Sequence, residues 1–206
     1  MGKAGHWQEV YGRKRPAELS WYADHLERSL TAIRSVASVT AKIIDIGGGA
    51  STLVDDLLAG GYRDVTVLDI SATALDVSKA RLGENAVKVT WIQGDVTNIA
   101  LPEAAYDLWH DRAVFHFHTD AAERRAYVNL AARSLRIGGH AVIAIFAPDG
   151  PVRCSGLDVL RYDAQTLGIE FGPTFLLKEE ARATHRTPSG AEQSFIHCIF
   201  QRIKVG

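Results

Sequence analysis

Cysteine is scarce: Cys154 and Cys198 stand far apart in 206 residues, without CxxC spacing. Two such thiols point to neither a disulfide framework nor a zinc site, and they fit a reducing, cytoplasmic setting. A surplus of one charge is also missing. With 23 Lys and Arg against 24 Asp and Glu, the net charge is -1. No basic run exceeds Arg13-Lys14-Arg15, so nothing tracks a phosphate backbone and no nucleic acid is expected as a partner. No apolar run is long enough to span a bilayer, and the first residues hold no signal-peptide core, so no membrane partner is expected either. Linkers, low-complexity tracts and internal repeats are absent. That leaves one domain over 1–206, with 1–37 as an N-terminal lid or helix and 40–203 as the core. The chain is expected to be a monomer or a homodimer.

What is present is ordinary for a soluble globular protein, 47% hydrophobic and 23% charged. Lys42-Ile43-Ile44-Asp45-Ile46 is a short apolar run that ends in Gly47-Gly48-Gly49, and Thr52 to Leu58 follows as a helical stretch. Asp64 to Asp69 is a second buried strand, after which Ser71 caps a helix through about Leu82. Val87 to Gln93 and Tyr106 to His110 supply two more strands. Asp120 with Glu123 has the form of a capping box, with Gly138-Gly139 as the stop of that helix and His140 to Phe146 as the fifth strand. Tyr162 to Gly168 reads as helical. Phe171–Thr184 and Gln193–Arg202 read as strands joined across Pro188-Ser189-Gly190.

Ahead of this core, Pro16 opens a predicted helix to about residue 37, with Leu19, Tyr22, Leu26, Leu30 and Ile33 on its apolar face. Residues 1–15 are expected to lie over the surface. The alternation predicts an α/β, Rossmann-like, doubly wound fold: a mostly parallel seven-stranded sheet, a C-terminal antiparallel hairpin and an N-terminal helix. Any ligand would sit at the carboxyl edge of the strands.

The glycine turn allows sharp bending, close ligand approach and free N–H groups at a helix start. A dinucleotide loop needs glycine at its first, third and sixth positions. Gly47 and Gly49 match, but Thr52 holds the sixth. Asp45, two residues before Gly47, would oppose a phosphate yet suit an ammonium group or water, which favours a cofactor bearing an amino acid.

On Asp45, Gly47 and Gly49, the acid-x-Gly-x-Gly motif, the chain resembles the class I S-adenosylmethionine-dependent methyltransferases over about residues 40–203. Ser51 stands where a third glycine is frequent. The resemblance implies S-adenosylmethionine as cofactor. It also implies Asp69 on the ribose hydroxyls, Ile70 beside the adenine, and Asp95 with the Val96 backbone at the adenine edge. Leu135-Arg136-Ile137-Gly138-Gly139 is similar to the signature that precedes the fifth strand. A dinucleotide oxidoreductase and a protein that binds the cofactor without turnover are the other readings of the same loop.

The acceptor side falls at 109–118, where three histidines, Asp111-Arg112 and aromatics crowd together. Asp111 and Arg112 form either a loop brace or an acceptor-orienting pair. His110 or His116 is either a general base or a core histidine. His116-x-His118 has no recognised metal-ligand spacing, and no metal is expected. Trp21, His25, His118, Arg153 and His185 complete the expected acceptor pocket, while Cys154 reads as a buried structural thiol. Trp109 to Val114 also looks like the Trp-Asp-Arg-Gly-Ala-Leu segment of thiopurine and chalcogen methyltransferases, with His110 inserted and Ala113 replacing glycine. That implies a small thiol or sulfide as acceptor. Methyl transfer to oxygen, nitrogen or carboxyl of a small metabolite, or to a protein side chain, remains the alternative.

Overall fold

The structure, a computed structural model, describes residues 2–13 and 15–204. Its main sheet has seven strands in the order β3-β2-β1-β4-β5-β9-β8. These are β1 (Lys42–Ile46), β2 (Asp64–Asp69), β3 (Val89–Gln93), β4 (Tyr106–Arg112), β5 (Leu135–Phe146), β8 (Phe175–Arg186) and β9 (Glu192–Arg202). The first five run parallel, and β9 pairs antiparallel with both β5 and β8. A separate two-stranded ribbon joins β6 (Arg153–Cys154) to β7 (Leu157–Asp158). The expected seven-stranded sheet with its terminal hairpin is therefore what the chain builds.

The chain moves outward from β1 to β3 and then returns to place β4 on the other side of β1. That reversal opens a crevice at the carboxyl ends of β1 and β4. Alternation along the strands fills two cores. Ile43, Val65, Val67 and Leu108 face α2 (Glu27–Val36) and α3 (Leu53–Ala59), whereas Ile44, Ile46 and Trp109 face α5 (Ala121–Ser134) and α6 (Ala164–Phe171). A central strand covered on both faces has no polar side to show, which is why β1 reads as an unbroken apolar run. No helix among the described residues is long and apolar enough to cross a membrane.

Local signals set most boundaries. Ser71 accepts from Ala74 N and starts α4 (Ala72–Leu82), and Asp120 accepts from Ala122 N and Glu123 N at the start of α5. Glu123 does not close a capping box; its carboxylate meets Lys3 Nζ at 2.5 Å instead. Asp163 forms a reciprocal cap with Thr166 that begins α6 at Ala164, later than the expected Tyr162.

Three expectations are corrected. No helix is expected before Pro16, yet residues 3–13 form one, α1 (Lys3–Arg13); within 1–37, Met1 and Lys14 lie outside the described residues. The helix expected from Pro16 begins only at Glu27, after a 3₁₀ turn at Pro16–Glu18. The carbonyls between them are bound elsewhere: Ser20 O by His185 Nε2, Trp21 O by Arg112 and Ala23 O by Thr52. Diverting three of the four neighbouring acceptors at residues 20–23 to side chains removes the helical ladder they would have joined. Finally, Gly138-Gly139 lies inside β5 and does not stop α5, which ends at Ser134. Gly138 has φ +83, and a Cβ on Gly139 would stand 3.0 Å from the Asp107 carbonyl, so both glycines serve an irregular β4–β5 pairing.

Candidate functional site

The crevice has two lobes that meet at Ile46, Gly47, Tyr11, Trp21 and Arg112. The larger runs along Asp69, Ile70, Asp95 and Val96 at the ends of β2 and β3. The smaller holds Asp45, Gly48, Ser51 and His110 beneath Leu19, Tyr22 and Leu26. Seven of the eight expected cofactor residues, all but Gly49, thus line one continuous crevice.

Gly49 acts from behind it. Its N–H donates to Asp69 Oδ2 at 3.0 Å, and a Cβ there would collide with Ala74 Cβ and the Asp69 carboxylate. Gly47 has φ +66 and no room for a side chain against Val114. The two glycines are required by close packing and by backbone geometry together.

Asp69 is buried and also accepts from Ser71 N at 2.8 Å. Burial pushes its carboxyl up to about 6, against the backbone hydrogen bonds that lower it. A carboxylate has about four acceptor positions, so two remain for a ligand. Asp95 Oδ1 takes both Thr97 N (2.9 Å) and Thr97 Oγ1 (2.7 Å). Asp45 Oδ1 meets His110 Nδ1 at 2.6 Å, while Asp45 Oδ2 is buried and has no partner. A buried orphan carboxylate oxygen is costly, and a cationic or N–H-bearing ligand would relieve it.

The 109–118 segment separates under inspection. His110 spends both ring nitrogens, Nδ1 on Asp45 and Nε2 on Ser29 Oγ at 2.9 Å. Carboxylates only accept, so Nδ1–H donates and Nε2 accepts from the serine. Neither nitrogen is left for an acceptor proton, which corrects the general-base expectation for His110. Asp111 is likewise corrected. Its carboxylate accepts from Val114 N (2.8 Å), Phe115 N (3.0 Å) and Tyr127 Oη (2.5 Å), so it braces the loop after β4 and does not line the crevice.

His116 is fully buried between Phe117 and Phe146, at 4.5 and 4.7 Å between ring centroids, and lines neither lobe. The 3₁₀ turn at Phe115–Phe117 rotates it into the core and leaves His118 in the larger lobe. Burial and the charges of His118 and Arg112 hold His116 down at about 3. His118, pushed to about 4 by burial and then by Lys3, has an unpartnered Nε2.

Arg112 reaches both lobes, donates to Trp21 O at 2.8 Å and is lowered to about 10 by burial. Trp21 and Cys154 line the larger lobe, and burial pushes the Cys154 thiol up to about 11. Arg153 is instead exposed and paired with Asp158 at 2.7 Å, outside both lobes. His25, bound to Asp56 at 2.8 Å, and His185 line a different cleft.

Sequence reasoning missed α1. Trp7 and Tyr11 roof the larger lobe, with Trp7 at 5.2 Å from Phe117 and 5.7 Å from Trp21 between ring centroids. Gln8 Oε1 accepts from Ser71 Oγ (2.6 Å) and Thr73 N (3.1 Å), which fastens the helix to the start of α4. The signal was available: Trp7 and Tyr11 are four residues apart, one face of a helix.

The buried histidines predict acid sensitivity. His116, His118 and His197 sit at about 3, 4 and 4, below the ordinary 6.5, so as pH falls the unfolded chain takes protons that the native state refuses. Stability is lost from 6.5 downward. Asp69 and Asp111, both raised to about 6, act in the opposite sense between 6 and 3.8. Three larger displacements outweigh two smaller ones, so the melting temperature is expected to fall from pH 7 to 4.5 in calorimetric scans. His116→Phe should flatten that fall.

A family described as a methyltransferase domain matches residues 43–139. The mouse eEF1A lysine and N-terminal methyltransferase is 26% identical over 145 residues, 68% of this chain and 21% of that protein. The Drosophila melanogaster homolog is 26% identical over 148 residues, 69% of this chain and 22% of that protein. The chain thus spans about a fifth of the length of these relatives.

Among solved structures, one described by the conversion of a disulfide bond into a thioacetal group during echinomycin biosynthesis superposes with a TM-score of 0.81. It has 18% identity and covers 98% of this chain and 93% of that one. The Burkholderia thailandensis 1,6-didemethyltoxoflavin-N1-methyltransferase, bound to 1,6-didemethyltoxoflavin and S-adenosylhomocysteine, gives 0.77 at 20% identity, covering 98% and 87%. At these identities the likeness is one of fold.

Proposed function

We propose that the chain, whose residues 43–139 match a methyltransferase domain, is a class I S-adenosylmethionine-dependent methyltransferase that methylates a small acceptor, preferentially at sulfur, in the part of the larger lobe lined by Trp21, Phe117, His118 and Cys154, apart from the cofactor end at Asp69 and Asp95. The observation that supports a small acceptor is the aromatic cover from the first helix: Trp7 and Tyr11 line the lobe together with Trp21, Phe117 and Cys154.

The crevice residues fit the cofactor. Asp69 offers its remaining acceptor positions to the two ribose hydroxyls, and Asp45 Oδ2 offers its orphan oxygen to the ammonium group. Asp95 Oδ2, left free by Thr97, and the Val96 N–H face the adenine edge, with Ile70 against its ring. The bound cofactor supplies an electrophilic methyl on a sulfonium. The protein then has to orient the nucleophile in line and exclude water.

Sulfur is favoured by what the lobe lacks at neutral pH. His118, the histidine that lines it, sits at about 4 and is a weak base, and Lys3 and Arg112 are the cations that line the lobe with it. A hydroxyl would need a stronger base. A thiol, ordinarily near 8.5, ionises readily, and its anion is stabilised by a neighbouring guanidinium.

A second reading comes from the curated relatives, whose names make them lysine and N-terminal methyltransferases of eEF1A. For a protein amine to enter here, α1 would have to move aside. A product assay with labelled cofactor decides between them, offering sulfide, methanethiol, larger thiols, alcohols, amines and a peptide with a free N-terminus and lysines. Thioether products are expected. Label found only in the peptide would overturn the small-acceptor reading, and label only in oxygen or amine products would overturn sulfur.

The roof itself is testable. Trp7→Ala opens the lobe while leaving Gln8 in place. It is expected to speed S-adenosylhomocysteine dissociation about tenfold, since an aromatic cover contributes roughly 1–2 kcal/mol. A chase of bound radiolabelled S-adenosylhomocysteine measures it.

A further inference from the structure

A third cleft opens between the first turn of α2 and the β8–β9 hairpin, lined by His25, Arg28, Arg112, His185 and His197. Arg112 lines this cleft and both lobes of the crevice. Its charges do not balance. Among the described residues Arg28 makes no ion pair or hydrogen bond, and Arg112 has the Trp21 carbonyl as partner but no carboxylate within ion-pair distance.

His197 Nδ1 is buried without a partner. Burial, and then Arg112, Arg28 and His110, hold the His197 ring down at about 4. His185 gives Nε2–H to Ser20 O at 2.8 Å. One acid, Glu27, exposed in the first turn of α2, lines the cleft; Asp56 nearby is bound to His25 at 2.8 Å, and Asp45 acts on Arg112 from the smaller lobe.

Two guanidiniums against the single carboxylate of Glu27, beside a buried ring nitrogen without a partner, leave the cleft with a surplus of positive charge. Arginine forks match oxyanions in shape as well as charge, and Arg28 is exposed with no ion pair or hydrogen bond among the described residues. We propose that this cleft binds an oxyanion carried by the methyl acceptor, with Arg28 and Arg112 as its charge partners. Arg112 is the link, since it faces this cleft on one side and the cofactor crevice on the other. The acceptor is then a small anionic molecule, its charged end between α2 and the hairpin and its nucleophilic atom in the larger lobe. That acceptor role rests on the proposed methyltransferase activity, whereas the anion site does not.

The test is calorimetric titration of the full chain at low chloride with succinate, with inorganic phosphate and with neutral succinamide. Arg28→Ala and Arg28→Glu are run beside the wild type, and S-adenosylhomocysteine is titrated into the same wild-type sample. At least one anion is expected to bind the wild type with a millimolar dissociation constant, at least tenfold more weakly in Arg28→Ala and undetectably in Arg28→Glu. The anion that binds identifies the acceptor's charged group as carboxylate or phosphate. Succinamide binding as tightly as succinate, affinity unchanged in Arg28→Ala, or no anion bound by the wild type would each overturn the site. Anion binding without S-adenosylhomocysteine binding would leave the site standing and overturn the activity on which its acceptor role depends.

Discussion

Asp69→Asn is expected to weaken S-adenosylhomocysteine binding by two to three orders of magnitude, measured by titration calorimetry at pH 7.5. Two ribose hydroxyls would lose a charged acceptor, and hydrogen bonds to charged groups contribute about 1.5–3 kcal/mol each. A loss of ~3–4 kcal/mol is a factor of about 10²–10³. Asparagine keeps the shape but brings an NH₂ group toward Gly49 N and Ser71 N, both donors that Asp69 now satisfies. One donor is then left unpaired beside the glycine loop, so the variant loses order in the loop as well as the ribose contact. Wild-type affinity should itself fall as pH drops through about 6, where the buried carboxyl takes a proton. Affinity unchanged in Asp69→Asn, and flat from pH 7.5 to 5.5, would sink the ribose assignment.

Much of the donor side was legible because it is local. Lys42 to Ala59 writes strand, turn and helix into eighteen consecutive residues, and Asp69 ends β2 while Asp95 follows β3 at the same edge. Parallel topology then brings those ends together without further information. The acceptor side was less legible because its geometry is set by rotation within one short turn. In His116-Phe117-His118, a single 3₁₀ turn sends the first histidine into the core and the third into the crevice. Sequence spacing alone does not distinguish them.

The N-terminal third was misread for a different reason. The stripe from Leu19 to Ile33 fits a helix, yet the carbonyls of Ser20, Trp21 and Ala23 are captured by His185, Arg112 and Thr52 from distant elements. Tertiary partners outweighed local periodicity there. The reverse holds for α1. Its Gln8 and Trp7 find partners on α4 and beside Phe117, and those contacts hold a segment whose own composition is mixed and basic.

His110→Ala is expected to lower stability by about 3 kcal/mol, a melting-temperature drop on the order of 6–12 °C for a chain of this size. The side chain is buried between Asp45 and Ser29 and satisfies one polar atom of each. Removing it strands a second oxygen of a carboxylate that already has one orphan, in a site where each unpaired charged atom is costly. Asp45→Ala in the His110→Ala background should therefore cost less than Asp45→Ala alone, a coupling that a double-mutant cycle reads directly.

The same variant separates two roles for this histidine. A positioning residue that clamps Asp45 would, when lost, weaken S-adenosylhomocysteine binding and stability together, because Asp45 Oδ2 would no longer be held toward the smaller lobe. A general base would, when lost, lower turnover with affinity and melting temperature intact. The hydrogen bonds to Asp45 and Ser29 favour the first outcome. Unchanged melting temperature with unchanged cofactor affinity would overturn it and return His110 to the acceptor's side of the crevice.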